Sequence, residues 1–540
     1  MRAEDQTKIL DQLEQRVTAT RSQLKAPLSE VLEDSLYHER RRLKEDRGKS
    51  PAFKKDSAFW ERVQSELRGA SESQQTRLIE RTVRHYGEEI AGNFDDRVYQ
   101  VVTRAMPPAL GLLLNAVSPI KLAKRLPELP SIDDAIVVQG EVEQLRTLHE
   151  KGTVVLVPTH VSNLDSIVAG YALYRIGLPP FLYGAGLNLF TNPLLSFFMH
   201  NLGAYTVDRK KRDPLYKDVL KAYAQLTLEH GYDNIFFPGG TRSRSGAIEK
   251  KLKLGLAGCG LQAYIENLKA AKARPNLYVV PCTLSFELVL EAETLIDDFL
   301  KEVGKARYII DDDEFTKPSR LYEFMTQLVN LDSKIHVTIS RAVDPFGNDV
   351  DDAGVSLDPC GRSIDTSRYV LTRDGPGPVY DRDQEYTREV GERIVDAFLR
   401  DNVVECTHVT AYAIFSLLRE YNPRMNVLRV IRTGGEDDLS LADLYRRTES
   451  IVGRLRELDA DRRIRLGPSV KKSAEDIVAD GLKHFSIYHT RPAAQRKGDR
   501  VVPTDRTLLL YYQNRLEGYD LDAVGGATSL SDDHRELADQ

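Results

Sequence analysis

Four short stretches of this chain bring together residue types that do chemistry. In the first, Thr153-Val-Val-Leu-Val157 runs into Pro158-Thr-His160-Val-Ser-Asn-Leu-Asp165. A histidine and an aspartate five residues apart across a turn let the carboxylate fold back onto one imidazole nitrogen, leaving the other as a base. The same residues also fit a plainer arrangement, Asp165 capping a helix and His160 hydrogen-bonded in a loop. In the second, Gly203-Ala-Tyr-Thr-Val-Asp208-Arg209-Lys-Lys-Arg212, a basic run follows an apolar strand. It can hold a phosphate through the arginine fork, or stay solvated. In the third, Phe236-Phe-Pro-Gly239-Gly240-Thr241-Arg242-Ser243-Arg244-Ser245-Gly246 opens a glycine-rich turn. Glycines there let the backbone approach an anion, and Arg242 and Arg244 add charge; the bland reading is a surface turn. The fourth, Val279-Val-Pro281-Cys-Thr-Leu-Ser285-Phe-Glu287, reads as a strand that lines the same cavity or simply belongs to the core.

These stretches need elements to position them. Apolar β-rich runs predict strands at Ala135–Val138, Thr153–Val157, Phe181–Tyr183, Ala204–Val207, Asn234–Phe237, Leu277–Leu284 and Ile335–Ile339. Helices are expected near Leu164–Ile176, Pro193–Asn201, Leu215–His230 and Ile248–Asn267. Such alternation predicts an α/β fold with a mostly parallel central sheet flanked by helices. Helical regions are expected at both ends of the chain, the first from the helical period of Ile9, Leu10, Leu13 and Val17 onward. The division is 1–125 helical, 126–345 α/β, 346–385 connecting and 386–540 mostly helical. Successive strand exits of a parallel sheet share one edge, so the clusters would border one cleft. That cleft would take a phosphorylated small molecule and carry one histidine base.

Composition narrows the field. At 540 residues the chain should hold about three folded units. With 41% hydrophobic and 29% charged residues it reads as globular, and a net charge of −6 disfavours a globally basic nucleic-acid binder. The apolar run Pro107 to Pro119 is shorter than the roughly 20 residues of a membrane-spanning helix. It reads as a buried helix or an interfacial segment, and the charged stretch His38 to Pro51 as a solvated helix end or a contact with anionic lipid. Trp60 and Phe59 would pack in the helical unit or anchor at a lipid interface. The polar, acidic first residues do not form a secretory signal. Cys259, Cys282, Cys360 and Cys406 make no C-x-x-C pair, which implies reduced thiols in a cytosol-like compartment, with neither disulfides nor a zinc site. His149, His200, His230, His336 and His408 show no metal-ligand spacing, and Gly184-x-Gly186 lacks the third glycine of a dinucleotide site.

His160-x4-Asp165, Gly203…Asp208-Arg209, Phe237-Pro-Gly-Gly-Thr-Arg242 and Val280-Pro281 stand in the order and spacing of the glycerolipid acyltransferase family. With Tyr183-Gly-Ala-Gly-Leu-Asn-Leu189 and Gly239 to Gly246, the chain most resembles the glycerol-3-phosphate O-acyltransferase branch. The likeness is strongest over 135–345, with an echo at Thr507-Leu-Leu-Leu-Tyr-Tyr-Gln-Asn-Arg515. The resemblance implies that His160, oriented by Asp165, deprotonates an acceptor hydroxyl, which attacks the thioester of an acyl-CoA or acyl-carrier protein. Arg209, Arg242 and Arg244 would hold the acceptor phosphate, with Gly240, Thr241, Ser243 and Pro281 among the substrate-binding positions. The implied reaction makes lysophosphatidate from glycerol 3-phosphate, without metal or cofactor, peripherally on the cytoplasmic face of a membrane. The absence of a Gly-x-Ser-x-Gly elbow fits direct transfer. Two departures stand out: Gly239 replaces a glutamate usual in the third motif, and Asp208-Arg209 looks more like the lysophosphatidate acyltransferase version of the second. They keep open acylation of lysophosphatidate or another lipid hydroxyl, and a catalytically weak scaffold that binds lipid or acyl thioester.

Overall fold

The computed structural model describes residues 3–23, 27–45, 51–95, 97–100, 135–186, 201–303, 333–433, 438–487, 489 and 491–521. At its centre is a seven-stranded sheet. Its strands are β1 (Ile136–Gly140), β2 (Thr153–Pro158), β3 (Leu182–Gly186), β4 (Ala204–Val207), β5 (Asn234–Ile235), β6 (Leu277–Phe286) and β7 (Ile335–Ile339). They lie in the order β1-β7-β6-β2-β5-β3-β4. From β6 to β4 every pairing is parallel. β7 runs antiparallel to β6 and parallel to β1. The sheet is thus mostly parallel, as expected. All residues of β2 and β6 are buried, and for that reason they read as mainly apolar runs, with only Thr153, Thr283 and Ser285 polar, rather than alternating ones.

In the N-terminal region, α1 (Ala3–Gln23), α2 (Leu28–Glu45), α3 (Pro51–Leu67) and α4 (Glu72–Ile90) form a helical unit. Its core holds Ile9, Leu13, Trp60, Val83 and Tyr86 and is continuous with Tyr205, Tyr216 and Tyr223 of the α/β unit. Trp60 is buried there, its Nε1 donating to Asp56 at 3.0 Å, so it packs inside the protein.

Between the strands run α5 (Val142–Lys151), α6 (Asp165–Arg175), α7 (Pro214–Glu229), α8 (Ala257–Lys269) and α9 (Ala292–Val303). α7 starts where Asp213 caps the Leu215 amide and Pro214 supplies a preset first turn. The helix expected from Ile248 begins only at Ala257. Its first nine residues form a loop instead, because the Lys253 amide donates to the Pro238 carbonyl at 2.7 Å and Glu249 turns inward.

The C-terminal region is mainly α10 (Tyr380–Arg400), α11 (Cys406–Tyr421), α12 (Leu441–Ala460), α13 (Ala474–Ile487) and α14 (Arg506–Gln513). α11 is buried on all sides from Cys406 to Leu418, the signature of a helix at the centre of a bundle. Its core is one cluster with that of the sheet, running from Ala135 to Leu521. Among the described residues no helix is long and apolar enough to cross a membrane. The run Pro107–Pro119, the end of the basic stretch near residue 50, the loop from residue 434 and nearly all of the helix expected at Pro193–Asn201 lie outside the described residues.

Candidate active site

β2 delivers His160. The Thr159 amide donates to Cys282 of β6, and its hydroxyl accepts from the Leu284 amide at 2.9 Å, so the chain leaves the sheet from a fixed point. In the turn that follows, Asp165 Oδ2 accepts three hydrogen bonds: from His160 Nδ1 at 2.8 Å and from the amides of Val161 at 2.6 Å and Ser162 at 2.9 Å. Asp165 is the first residue of α6, where the helix dipole favours its negative charge. Asp165 does not cap the helix, whose N-cap is Leu164 without a side-chain cap bond; its carboxylate instead closes the preceding turn and orients the histidine. With Nδ1–H donated, Nε2 keeps its lone pair. The ring packs 4.7 Å from Phe237, and the side chain retains 16% exposure, enough to meet a substrate.

The electrostatics favour a neutral imidazole. Burial pushes the His160 pKa well below the usual histidine range, and Arg242 and Arg209 lower it further. Burial pushes Asp165 up, opposed by the Ser162 and Val161 amides and by Arg242 and Arg515. Arg209 is itself lowered, by burial and then by the charges of Arg242 and Arg244. Arg209, at the start of the basic run, thus shares an electrostatic field with the arginines of the glycine-rich turn and with the histidine.

The turn after β5 is tied to that histidine, with the Ser243 amide donating to the His160 carbonyl at 2.7 Å. The Ser243 hydroxyl donates to the Ala247 carbonyl at 2.6 Å. Gly240 has a positive φ of 68° and closes the turn onto the Phe237 carbonyl. A hollow of about 420 Å³ opens here, lined by Thr241, Arg242, Ser243, Arg244, Lys253 and Phe299. Pro281 lies elsewhere, buried inside β6 opposite Val157. Lys211 also leaves the basic run. It is fully buried against Glu89 at 2.5 Å and Glu39 at 3.7 Å, beneath the rings of Tyr86 and Tyr216.

Two carboxylates, Glu291 and Glu249, carried no local signal strong enough to be picked out, and Arg515 stood out only as the end of the Thr507–Arg515 echo. Buried Glu291 accepts from Ser162 Oγ at 2.8 Å and the Asn163 amide at 3.0 Å, and lies 3.5 Å from Arg242 Nη1. It binds the His160–Asp165 turn to the arginine turn. Glu249, which the sequence places in the helix expected near Ile248–Asn267, accepts from the His160 amide at 3.0 Å. Burial raises its pKa to about 8. Arg515 is buried and donates to Leu284 O and Asn402 Oδ1, each at 2.7 Å. The echo at Thr507–Arg515 is therefore part of the site's support.

A second histidine–aspartate pair, His149 Nδ1 and Asp233 Oδ2 at 2.5 Å, sits at the amino end of the strands, where Asp233 also accepts from the Val154 amide. It staples α5 to the sheet, away from the cleft. Among the described residues one group has metal-ligand chemistry in reach: Glu287, Cys406 and His484, all buried. The Cys406 thiol donates to Glu287 at 3.1 Å, and His484 Nδ1 to the Asp480 carbonyl at 2.6 Å, as a hydrogen-bonded core network does.

Residues 139–285, which span β2 through β6, match the protein family described as Acyltransferase. A glycerol-3-phosphate acyltransferase of Aeromonas hydrophila is 36% identical over 154 residues, 28% of this chain and 18% of that protein. One from Pseudomonas syringae pv. tomato is 28% identical over 257 residues, 44% of this chain and 28% of that protein. The matched segment, which carries the site, is thus similar to that of glycerol-3-phosphate acyltransferases. The matches span less than a third of the length of these curated acyltransferases. Among solved structures, the 1-acyl-sn-glycerophosphate (LPA) acyltransferase of Thermotoga maritima aligns over 55% of this chain and 91% of its own. At 15% identity and a TM-score of 0.24, that likeness carries no weight for the fold. Within the acyltransferase segment fall His160, Asp165, Arg209, Arg242 and Arg244, and with them Glu249.

Proposed function

We propose that this protein is an O-acyltransferase that moves a long-chain acyl group from acyl-CoA or acyl-carrier protein to glycerol 3-phosphate, yielding lysophosphatidate for phospholipid synthesis. The observation that carries this is the meeting of an Asp165-oriented His160 with the charges of Arg209, Arg242 and Arg244. His160 Nε2 takes the proton of the acceptor hydroxyl as its oxygen attacks the thioester carbonyl. Asp165 stabilises the imidazolium that forms. The carbon–sulfur bond then breaks, and the departing thiolate takes the proton back from His160. The arginines bind the acceptor phosphate as a forked, charged clamp, with Gly240, Thr241 and Ser243 shaping the turn around it and Pro281 supporting from within β6.

The donor is a substrate, and the scheme uses no metal or organic cofactor. Long acyl chains partition into bilayers, so we place the protein peripherally on the cytoplasmic face of a membrane. The test is conversion of labelled glycerol 3-phosphate with palmitoyl-CoA or palmitoyl-carrier protein in detergent micelles, wild type beside His160→Ala. Lysophosphatidate formed by the wild type alone supports the reading. Product from lysophosphatidate but not from glycerol 3-phosphate moves the acceptor assignment, and no product from either acceptor with either donor overturns it.

A further inference from the structure

We propose that Glu249 is a positioning residue for His160, and that Gly239 is a glycine because the Glu249 carboxylate occupies the volume that a side chain there would fill. Glu249 sits in the loop between the β5 exit and α8, yet its Oε1 reaches the His160 amide at 3.0 Å. A Cβ added at Gly239 would lie 2.5 Å from that same Oε1, 3.1 Å from Cδ of Glu249 and 3.2 Å from the Thr241 carbonyl. The two residues compete for one space. Glu249 Oε2 is buried and makes no hydrogen bond. A buried carboxyl oxygen without a hydrogen-bond partner is costly, and the chain keeps it where the other oxygen grips the histidine.

The result is a histidine held at three points. Asp165 holds the ring through Nδ1, Glu249 holds the peptide N–H, and the Ser243 amide holds the peptide carbonyl. Asp165 and Arg515 are the charged groups that act on Glu249, and Arg242 and Arg209 act on His160. Losing one anchor lets the turn rotate, and a misplacement of about 1 Å can cost about 10²-fold in rate. Because the carboxylate lies over the Cα of Gly239, a glutamate placed at 239 could bring an equivalent group to the same amide once Glu249 is removed.

The inference leans on the acyl-transfer reading only for its turnover measurements. A second readout is independent of substrate: the pH dependence of His160 carbethoxylation by diethylpyrocarbonate, followed by peptide mass spectrometry. Wild type, Glu249→Ala, Glu249→Gln and the exchange variant Gly239→Glu/Glu249→Ala are compared. Glu249→Ala is expected to lose about 10²-fold in kcat, with KM for glycerol 3-phosphate changed far less. Its His160 reactivity profile should move toward that of an ordinary histidine as the turn opens. Glu249→Gln keeps an acceptor for the His160 amide and should restore the wild-type profile. The exchange variant should recover at least tenfold over Glu249→Ala.

If Glu249→Ala does not fold, Glu249→Met, which fills the space without an acceptor, replaces it throughout. An unchanged His160 profile in the Ala or Met variant overturns the positioning role. An exchange variant no better than the single variant overturns the role given to Gly239. If wild type makes no product from any acceptor, the acyl-transfer reading fails while the His160 profile still decides the inference.

Discussion

His160 is useful as a base only if it stays neutral with Nε2 unprotonated, and the residues around it secure both conditions. Asp165 holds the tautomer, while burial and two arginines resist protonation. A histidine whose pKa is lowered loses its base function only when pH falls through that lowered value. The acid limb of kcat/KM should therefore lie below the ordinary value of 6.5, and Arg242→Gln should move it back upward. A pH–rate profile of the two proteins checks this. His160→Ala should cost about 10²–10⁴-fold in kcat, the range typical of general-base assistance, with little change in melting temperature. Both residues were legible in the sequence, since a histidine and an acid five apart at a strand exit meet across a local turn. Glu249 and Glu291 were not, because each reaches the turn from a distant loop.

At the scale of elements, the basic run after β4 divides between two tasks. Arg209 shares a field with Arg242 and Arg244, whereas Lys211 turns away and fills the seam between α4, α2 and α7. Burial still raises the Glu39 pKa on balance, against the opposing charges of Lys211 and Arg42. Lys211→Met should remove the buried ammonium from between Glu89 and Glu39, leaving Arg42 as the cation on Glu39, and destabilise the fold by about 3–5 kcal/mol, read by chemical denaturation. Arg209→Gln should instead raise KM for glycerol 3-phosphate while leaving the unfolding midpoint nearly unchanged. Four residues in one charged run look alike in a sequence. Which one is buried depends on the neighbouring helices, whose contact with β4 no local pattern encodes. Strand positions were far more readable, because β2, β6 and β7 are buried on both faces and so are mainly apolar, with only a few buried polar residues such as Thr283, Ser285 and His336.

Across the whole molecule, the sheet and the C-terminal helices share one hydrophobic core. α14 lies directly on the arginine turn. At Gly246, with φ of 82°, an added Cβ would stand 2.1 Å from the Tyr511 carbonyl, and Asn514 Nδ2 donates to the Ser245 carbonyl at 2.9 Å. Truncation before α14 should therefore yield protein that loses both its cooperative melting transition and its turnover, checked by calorimetry and the labelled-acceptor assay. Gly246→Ala should be a milder version, lowering turnover through the displaced arginine turn and costing about 1–3 kcal/mol in backbone strain.

What the sequence determined by itself was the alternation of strands and helices, and the sheet edge at which the histidine, aspartate and arginines of the candidate site stand. Those follow from periodicity and from the rule that parallel strands end on a common edge. Only the tertiary structure decided which carboxylates brace the histidine, that Lys211 serves the core, and that a C-terminal helix supports a turn more than 250 residues earlier. Such contacts depend on which distant segments meet, and burial of a charge is set by that meeting rather than by its neighbours in the chain.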